Sequence, residues 1–500
     1  MAPAVLFRTP MRILVTGGTG VVGDAAITKL LAGEHAVRLL SRNAGEDARR
    51  WPGVEAFTGD VADAQSIRGA ADGCDAILHV AGIVAEDPPD VTFESVNVAG
   101  TQNMLAEAAR AGVREFIYVS SLGADRGTSE YHKSKLEAEG LVRRSGLTWT
   151  IVRPGNVYGP GDEVISTILK MVRTLPAIPV IDDGEQEFQP IWHEDLGRIL
   201  ASIAERRDLG GHVLDAAGPE ITTMNDLLRR FAGITGRSPI RVPVPMALAQ
   251  LATRLVSVAV ALPVDETKLT MLSEDNVSRA GSALELLAID ATPLDRGLRL
   301  LADSLEETLP EEGFGKLEHK RFRADITGSR LSATELMTLF RERVNEFMPI
   351  EFVAEPGAAE RIEKGATLTG SLPLRGNFQV RVEVAEPAHV VFATIEGHPL
   401  AGIVEFTATD MDAGVQFAID VYARASNVVD WLAVRTVGAP AQDANWRSVI
   451  QRIIEASGGS SEGVQQEKEH LEGDDAEKVE KRVREMVMSR KRNEVVGIER

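Results

Sequence analysis

Short apolar runs and longer stretches of helical periodicity alternate along the first part of the chain. Ile13-Leu14-Val15 gives way to a helical pattern from Asp24 to Leu31. The short run recurs at His35–Leu40, Val54–Phe57, Ala76–Gly82 and Glu115–Val119. A helix is expected over Asn97–Ala111, where Val98, Met104, Leu105 and Ala108 share a face, and another opens at Tyr131 and continues through Leu141. Buried strands alternating with helices through five cycles predict an α/β fold with a doubly wound parallel sheet.

The period changes after Leu309-Pro310-Glu311-Glu312-Gly313-Phe314-Gly315, so a linker is expected over 309–320. Ala333–Phe347 is an amphipathic helix with Leu336, Leu339, Phe340 and Val344 on one side. Alternation of period two follows, placing Phe378, Val380, Val382 and Val384 on one face of a strand, and Val415, Phe417, Ile419 and Val421 on one face of another. Asn445–Ala456 closes the pattern as a helix with Trp446, Val449, Ile450 and Ile453 inward. The expected organisation is an α/β domain over 1–308, an α+β domain over 321–457, and a hinge with a charged tail over 458–500. Gly458–Gly463 is the hinge, and in the tail Val483, Met486 and Val487 form a thin apolar stripe among Lys481, Arg482, Arg484, Arg490, Lys491 and Arg492. A solvated, partly helical tail is expected there, with a partner protein or an anionic membrane surface as the alternative.

Composition narrows this picture. A chain of 500 residues is long enough for two or three domains. With 44% hydrophobic and 26% charged residues it is globular in type, and a net charge of -20 excludes a general nucleic-acid binder. The single cysteine, Cys74, excludes an intrachain disulfide and fits a reducing cytoplasm. The nine histidines show no ligand spacing, so no metal is expected. Met1–Pro10 lacks the apolar core of a signal peptide. Pro243–Val264 is the most apolar stretch, but Gln250, Arg254 and its prolines favour a buried or amphipathic helix over a membrane span.

The candidate chemistry begins at the first strand–helix junction, Thr16-Gly17-Gly18-Thr19-Gly20-Val21-Val22-Gly23. Gly17 permits a tight turn, Gly20 lets backbone approach a pyrophosphate, and Gly23 lets the helix pack on the strand. The second strand ends in Ser41-Arg42, where an NAD-selective site usually carries an acid; a cation there favours the 2'-phosphate of NADP(H), with NAD(H) as the alternative. Asp60 is placed to accept from an adenine amino group or to cap the following segment. Tyr131 and Lys135 stand at i and i+4 on one helical face, so the ammonium is expected to lower the tyrosine pKa and ready it for acid/base work, with Ser121 at a strand end sharing its oxygen partner. His79 and His193 are read as structural, and Asp195 as the cap of the helix that follows it.

Taken together, Thr-Gly-x-x-Gly-x-x-Gly at 16–23, Ser121 and Tyr131-x-x-x-Lys135 resemble the extended short-chain dehydrogenase/reductase superfamily, from about Arg12 to about Leu300. Further matches are Gly59-Asp60-Val61, His79-Val80-Ala81-Gly82, Asn97-Val98-Ala99-Gly100-Thr101 and Arg153-Pro154-Gly155-Asn156-Val157-Tyr158-Gly159-Pro160-Gly161. The short gap from Ser121 to Tyr131 is similar to the atypical branch, which includes the NAD(P)H-binding accessory subunit of respiratory complex I and bacterial relatives. The resemblance implies a Rossmann-type sheet, with Tyr131 as acid/base, Lys135 on the nicotinamide ribose and Ser121 orienting the substrate oxygen. It implies cofactor contacts from Thr19, Val21, Val22, Asp60, Val61, Ala81 and Gly82, with Pro154 to Val157 bordering the nicotinamide and Asn156 and Tyr158 facing substrate. The second domain resembles a helix-grip (START-like) domain, where His398 in a turn is read as structural. The expected function is an NADP(H)-dependent oxidoreductase or epimerase/dehydratase-like enzyme acting on a small-molecule alcohol or carbonyl. Its rival is a non-catalytic NADP(H)-binding protein of a larger, membrane-associated assembly.

Overall fold

The computed structural model describes residues 10–162, 164–174, 177–245, 276–304, 307–348, 352–354, 362–372, 376–395, 398–426 and 439–498. Residues 246–264 of the apolar stretch expected to be helical lie outside them. No helix among the described residues is long and apolar enough to cross a membrane. The chain forms two compact units, one from residues 1–169, 179–230 and 241–303, the other from 170–178, 231–240 and 304–500.

The first unit is built on a seven-stranded parallel sheet. Its strands are β1 (Arg12–Thr16), β2 (Ala36–Ser41), β3 (Glu55–Thr58), β4 (Ala76–His79), β5 (Glu115–Val119), β6 (Thr148–Pro154) and β7 (His212–Ala216), arranged β3-β2-β1-β4-β5-β6-β7. The order reverses between β1 and β4, which opens a crevice at the carboxyl ends of these two strands. Four of its helices are α1 (Val21–Ala32), α2 (Gly100–Ala111), α3 (Glu130–Arg144) and α4 (His193–Ala204). One core packs Ile13, Val15, Leu39 and Leu78 of the sheet with Ala26, Ile27 and Leu30 of α1 and Leu196, Ile199 and Leu200 of α4. The opposite face packs Leu14, Ile77, Phe116 and Ile151 with Met104 and Ala108 of α2 and Ala138 and Val142 of α3. Both faces are covered, as near-continuous apolar strands require.

Two expectations change here. The helix at Asn97–Ala111 starts as an α-helix at Gly100, preceded by a wider π-type turn over Glu94–Ala99. Among the described residues there is no helix between β3 and β4, so the expected alternation skips a step. The Glu107 carboxylate accepts from the amides of Gly69 and Ala71, while Arg38 donates to the carbonyls of Ala70 and Asp72. Side chains thus take the backbone groups that a helical turn would have paired.

The second unit carries an eight-stranded antiparallel sheet. Its strands are β8 (Phe314–Thr327), β9 (Phe352–Ala354), β10 (Thr367–Leu372), β11 (Gly376–Glu386), β12 (His389–Thr394), β13 (Leu400–Met411), β14 (Gly414–Ala425) and β15 (Gln465–Leu471). Their order is β9-β10-β11-β12-β13-β14-β8-β15. Helices α5 (Ala333–Glu342) and α6 (Ala439–Ser457) cover one face, where Leu336, Phe340, Val449, Ile450 and Ile453 meet Phe322, Val382, Phe406, Phe417 and Ile419. Ser332 and Glu335 form a capping box that starts α5.

Three sequence expectations are corrected in this unit. The linker expected over 309–320 is a single 3-10 turn, Pro310–Glu312, followed by the first half of β8, whose backbone pairs with β14 and β15 on either side. The tail over 458–500, expected to be solvated and partly helical, does hold a helix, α7 (Asp474–Ile498), but its first part is the strand β15. Its apolar stripe is not left for a partner, because Val483 and Met486 pack on Val391, Ala393 and Ile403 across the outer face of the sheet. Val384 leaves the face of Phe378, Val380 and Val382 and joins that outer cluster, because a register shift falls between Val382 and Val384. An extra residue in one strand moves every later side chain to the other face.

The edge strand is fastened by His319, whose Nε2 lies 2.8 Å from Asp420 Oδ1 and Nδ1 2.8 Å from Glu469 Oε1, with the ring stacked on Tyr422. Burial pushes His319 down, but the Asp420 and Glu469 carboxylates outweigh it and raise its pKa above the ordinary 6.5. A raised pKa stabilises the fold fully below the unfolded value and loses that stabilisation as pH rises through the folded one. The thermal midpoint of His319→Gln should therefore fall below wild type by more at pH 5.5 than at pH 8.5. An equal deficit at both would remove the charged clamp from this account.

Candidate active site

The glycine turn sits in the crevice between β1 and β4. Gly17 has a φ of +67°, and a Cβ there would stand 2.6 Å from the Ala81 nitrogen, so the turns after β1 and β4 meet backbone to backbone. A Cβ on Gly23 would stand 2.2 Å from the Gly17 carbonyl oxygen, which seats the first turn of α1 directly on the strand end. Gly20 differs. Its Cβ would meet nothing nearer than the Gly17 oxygen at 3.7 Å, so no protein atom demands a glycine there. Gly20 is also the N-cap of α1 and makes no side-chain cap, which leaves the helix amides facing the crevice. Thr19, Val21 and Val22 complete the rim of this turn. A dinucleotide pyrophosphate fits what is present: open space at Gly20 and a helix N-terminus aimed into it.

At the end of β2, Arg42 is exposed and makes no hydrogen bond or ion pair among the described residues. Ser41 Oγ donates to Asp47 Oδ2 at 2.6 Å, so the short helix Ala44–Asp47 returns a carboxylate to this strand end. Sequence reading missed Asp47, because only the return of that helix brings it beside Ser41. Asp60 Oδ1 accepts from the Ala62 amide at 2.9 Å, a local turn rather than the cap of a helix. Val61 is buried, and its carbonyl accepts from Asn103 Nδ2.

Ser121 and Tyr131 come together. Burial raises the Tyr131 pKa above its ordinary 10.0, and a hydrogen bond with Ser121 offsets part of that rise. Ser129 caps α3, its Oγ accepting from the His132 amide, and this sets where Tyr131 enters the site. The expected lowering of Tyr131 by Lys135 is not found. Lys135 Nζ donates to the Val119 carbonyl at 2.7 Å and lies 4.7 Å from the centre of the Tyr118 ring, so it is turned toward β5. Burial pushes the Lys135 ammonium down to about 7, with Glu139 opposing. Gly82 borders this position: a Cβ there would stand 3.1 Å from Asn97 Oδ1 and 3.5 Å from Lys135 Nζ.

Asn97 is the organiser that sequence reading left without a role. Its amide nitrogen donates to the Ile83 carbonyl and Ser134 Oγ, and its oxygen accepts from the Ile83 amide. It thereby ties the turn after β4 to α3; a buried asparagine inside an apolar helical face was the available signal. His79 is structural, as read. Its Nδ1 lies 2.7 Å from Thr16 Oγ1 and its Nε2 3.2 Å from Thr101 Oγ1, and burial with the Lys135 charge pushes it down to about 3.

The expected substrate-facing pair separates. Asn156 is part-exposed and accepts from Asn276 Nδ2 at 2.9 Å. Tyr158 is only 1% exposed; its ring packs edge-on against Trp192, and a Cβ on Gly297 would stand 2.1 Å from its hydroxyl. It is a packing residue in this structure, because the helix Leu294–Asp303 closes over it. Pro154 holds the serine loop by accepting from the Leu122 amide, and Val157 pairs with Ile191 in a short parallel bridge. Asp195 does not cap α4. It accepts from Thr292 N, Thr292 Oγ1 and Arg198, and so fastens the returning chain. His193 meets Trp192 edge to face and sits against Gly159.

In the second unit a cavity of about 610 Å³ is lined by Phe314, Lys320, Leu400, Val421, Arg424 and Lys468 among others. Its cations are paired: Lys320 with Asp443 at 2.8 Å, Lys468 with Glu318 at 2.5 Å and Arg424 with Glu480 at 2.6 Å. His398 accepts from the Leu400 amide within its turn, as a structural histidine does. Among the described residues no His, Cys, Asp and Glu cluster could hold a metal.

Residues 17–169 match a family model described as NAD(P)H-binding, and residues 124–252 match one described as RmlD substrate binding domain. The chain is similar to a ceramide reductase of Caulobacter vibrioides, 31% identical over 294 residues that span 56% of this chain and 88% of that one. It is 35% identical over 193 residues to a 3 beta-hydroxysteroid dehydrogenase/Delta 5-->4-isomerase of Mycobacterium tuberculosis, spanning 33% of this chain and 52%, about half, of that relative. A sterol demethylase protein B of Methylococcus capsulatus is 34% identical over 174 residues, 30% of this chain and 53% of that one. Among solved structures, a UDP-glucose 4-epimerase of Thermus thermophilus in complex with NAD aligns with 59% of this chain and 98% of its own, at 23% identity and a TM-score of 0.45.

The two glycines separate fold from ligand. Gly23→Ala should destabilise the protein by about 1–3 kcal/mol, since the methyl group has no space. Gly20→Val should leave the thermal midpoint near wild type yet abolish NADPH binding, read by nucleotide fluorescence. NADPH binding retained by Gly20→Val would move the pyrophosphate elsewhere.

Proposed function

Because this chain belongs to the NAD(P)-binding reductase, epimerase and dehydrogenase family of short-chain dehydrogenase/reductase type, we propose that it is an NADP(H)-dependent oxidoreductase acting through Tyr131, Ser121 and Lys135 on the alcohol or carbonyl of an apolar, lipid-like molecule. The observation that carries this reading is the burial together of Tyr131 and Lys135 on α3 and Ser121 at the carboxyl end of β5, with Lys135 Nζ 3.5 Å from where a Gly82 Cβ would stand. The names of the relatives, a ceramide reductase and a hydroxysteroid dehydrogenase, supply the substrate class. The exposed Arg42 supports the 2'-phosphate, whereas Asp47 beside Ser41 is the acceptor an NAD(H) site would use.

The nicotinamide supplies or accepts hydride when bound. Ser121 donates to the substrate oxygen and holds it beside Tyr131. In reduction, Tyr131 passes its proton to that oxygen as the carbonyl carbon gains hydride; oxidation runs the same transfers backwards. Burial raises the Tyr131 pKa above its ordinary 10.0, with Ser121 acting against that rise. In this reading Lys135 binds the nicotinamide ribose, and Asn97 holds the Ile83 turn beside it. The second unit is read as a START-like binding module. A non-catalytic NADP(H)-binding role is the second reading, favoured by the Lys135 ammonium being engaged by Val119.

NADPH should bind more tightly than NADH, and Arg42→Ala should weaken NADPH about tenfold or more while sparing NADH. Equal affinities in the wild type would make NAD(H) the cofactor. With ceramide-type and steroid ketones and alcohols as substrates, Tyr131→Phe should lower kcat by about a hundredfold or more. Turnover untouched by that change would leave the non-catalytic role.

A further inference from the structure

We propose that Glu139 is a positioning residue that locks the active-site helix α3 to the serine loop through Ser120 and Arg153, an inference that rests on the Tyr131, Ser121 and Lys135 reading above. The carboxylate is fully buried and accepts four donors: Ser120 Oγ at 2.7 Å, Arg153 Nε at 2.8 Å, Arg153 Nη2 at 2.8 Å and Arg143 Nη2 at 2.8 Å. That uses about all the lone-pair directions a carboxylate offers.

The donors come from separate parts of the fold. Ser120 follows β5, Arg153 lies in β6, and Arg143 is on α3 itself. The remaining Arg153 nitrogen, Nη1, reaches Asp125 Oδ2 at 2.5 Å, so the loop from Ser120 to Asp125 is held at both ends. Ser121 lies inside that clamp and is itself buried. On α3, Glu139 stands one turn from Lys135 and two from Tyr131, on the same face. A rotation or slide of α3 that parted Tyr131 from Ser121 would break the bidentate contact to Arg153.

A buried ion pair is often no more stabilising than apolar packing, so mere cohesion does not account for this arrangement. Its second effect is electrostatic. Lys135 faces Tyr118 from β5, His79 from β4, and Glu139 on its own helix. Glu139 is the anion of that set, and it opposes the fall that burial imposes on the lysine.

The test uses the full chain without cofactor or substrate, so its outcome is independent of whether turnover is found. Competitive amine labelling read by mass spectrometry would give the titration midpoint of Lys135 in wild type, Glu139→Gln and Glu139→Asp. Hydrogen exchange would follow the hydrogen-bonded amides of Leu122, Ala124, Arg126 and Gly127 in the same proteins and in Ser120→Ala, which carries no charge change and should fold. In Glu139→Gln the Lys135 midpoint should fall by about half a pH unit or more, with Glu139→Asp closer to wild type, as loss of a nearby anion requires. Loop exchange should rise about threefold or more in both Glu139→Gln and Ser120→Ala, while that of β2 stays unchanged. A Lys135 midpoint unmoved by Glu139→Gln overturns the proposal. So does loop exchange unmoved by Ser120→Ala, a result still obtained if Glu139→Gln fails to fold.

Discussion

Backbone meeting backbone is the constraint on which the nucleotide-binding unit depends. Gly17 against Ala81, Gly23 against the Gly17 oxygen, and Gly197 of α4 against the Ala25 oxygen are contacts that a single methyl group would forbid. They bring α1 down onto β1, α4 onto α1, and the turns after β1 and β4 side by side. The crevice at the strand reversal follows from these approaches, and every candidate cofactor contact is arranged around it. The open space at Gly20 is the exception that points to a ligand, because there the protein itself makes no demand.

Burial then decides the electrostatics of the site. It raises Tyr131, lowers Lys135 to about 7 and lowers His79 to about 3, in each case toward the neutral form. Neighbouring groups act against this: Ser121 on Tyr131, and the Glu139 charge on Lys135. The helical spacing of Tyr131 and Lys135 suggested a direct pair. In the folded protein the ammonium is engaged by the Val119 carbonyl, so the two residues share a face without sharing a hydrogen bond. Asn97 and Glu139 are what hold that face in place, one from the β4 side and one from the β5 and β6 side.

In the second unit the deciding interaction is the covering of both faces of one antiparallel sheet. The face packed by α5 and α6 was visible in the periodicity of Leu336, Phe340, Val449 and Ile453. The other was hidden, because its covering residues come from a segment that composition marks as a charged tail. Val483 and Met486 are too sparse to announce a core helix, yet they suffice to cover Val391, Ala393 and Ile403. Lys468, Glu467 and Glu469 disguise β15 as a solvated run, although its backbone completes the pairing of β8.

By itself the sequence determined what depends on local period and on the shape of single residues. The apolar runs set the parallel strands, the glycines set the first turn, and Tyr131 with Lys135 set one helical face. Tertiary structure decided what depends on residues far apart in the chain. It buried Tyr158 beneath Gly297, brought Asp47 back to Ser41, and turned Lys135 to Val119. It moved Val384 across the sheet by one extra residue and gave Glu139 its partners from β5 and β6. Periodicity reports which way a side chain points from its own element. What it meets there depends on the packing of other elements against it, and that packing is a property of the whole fold.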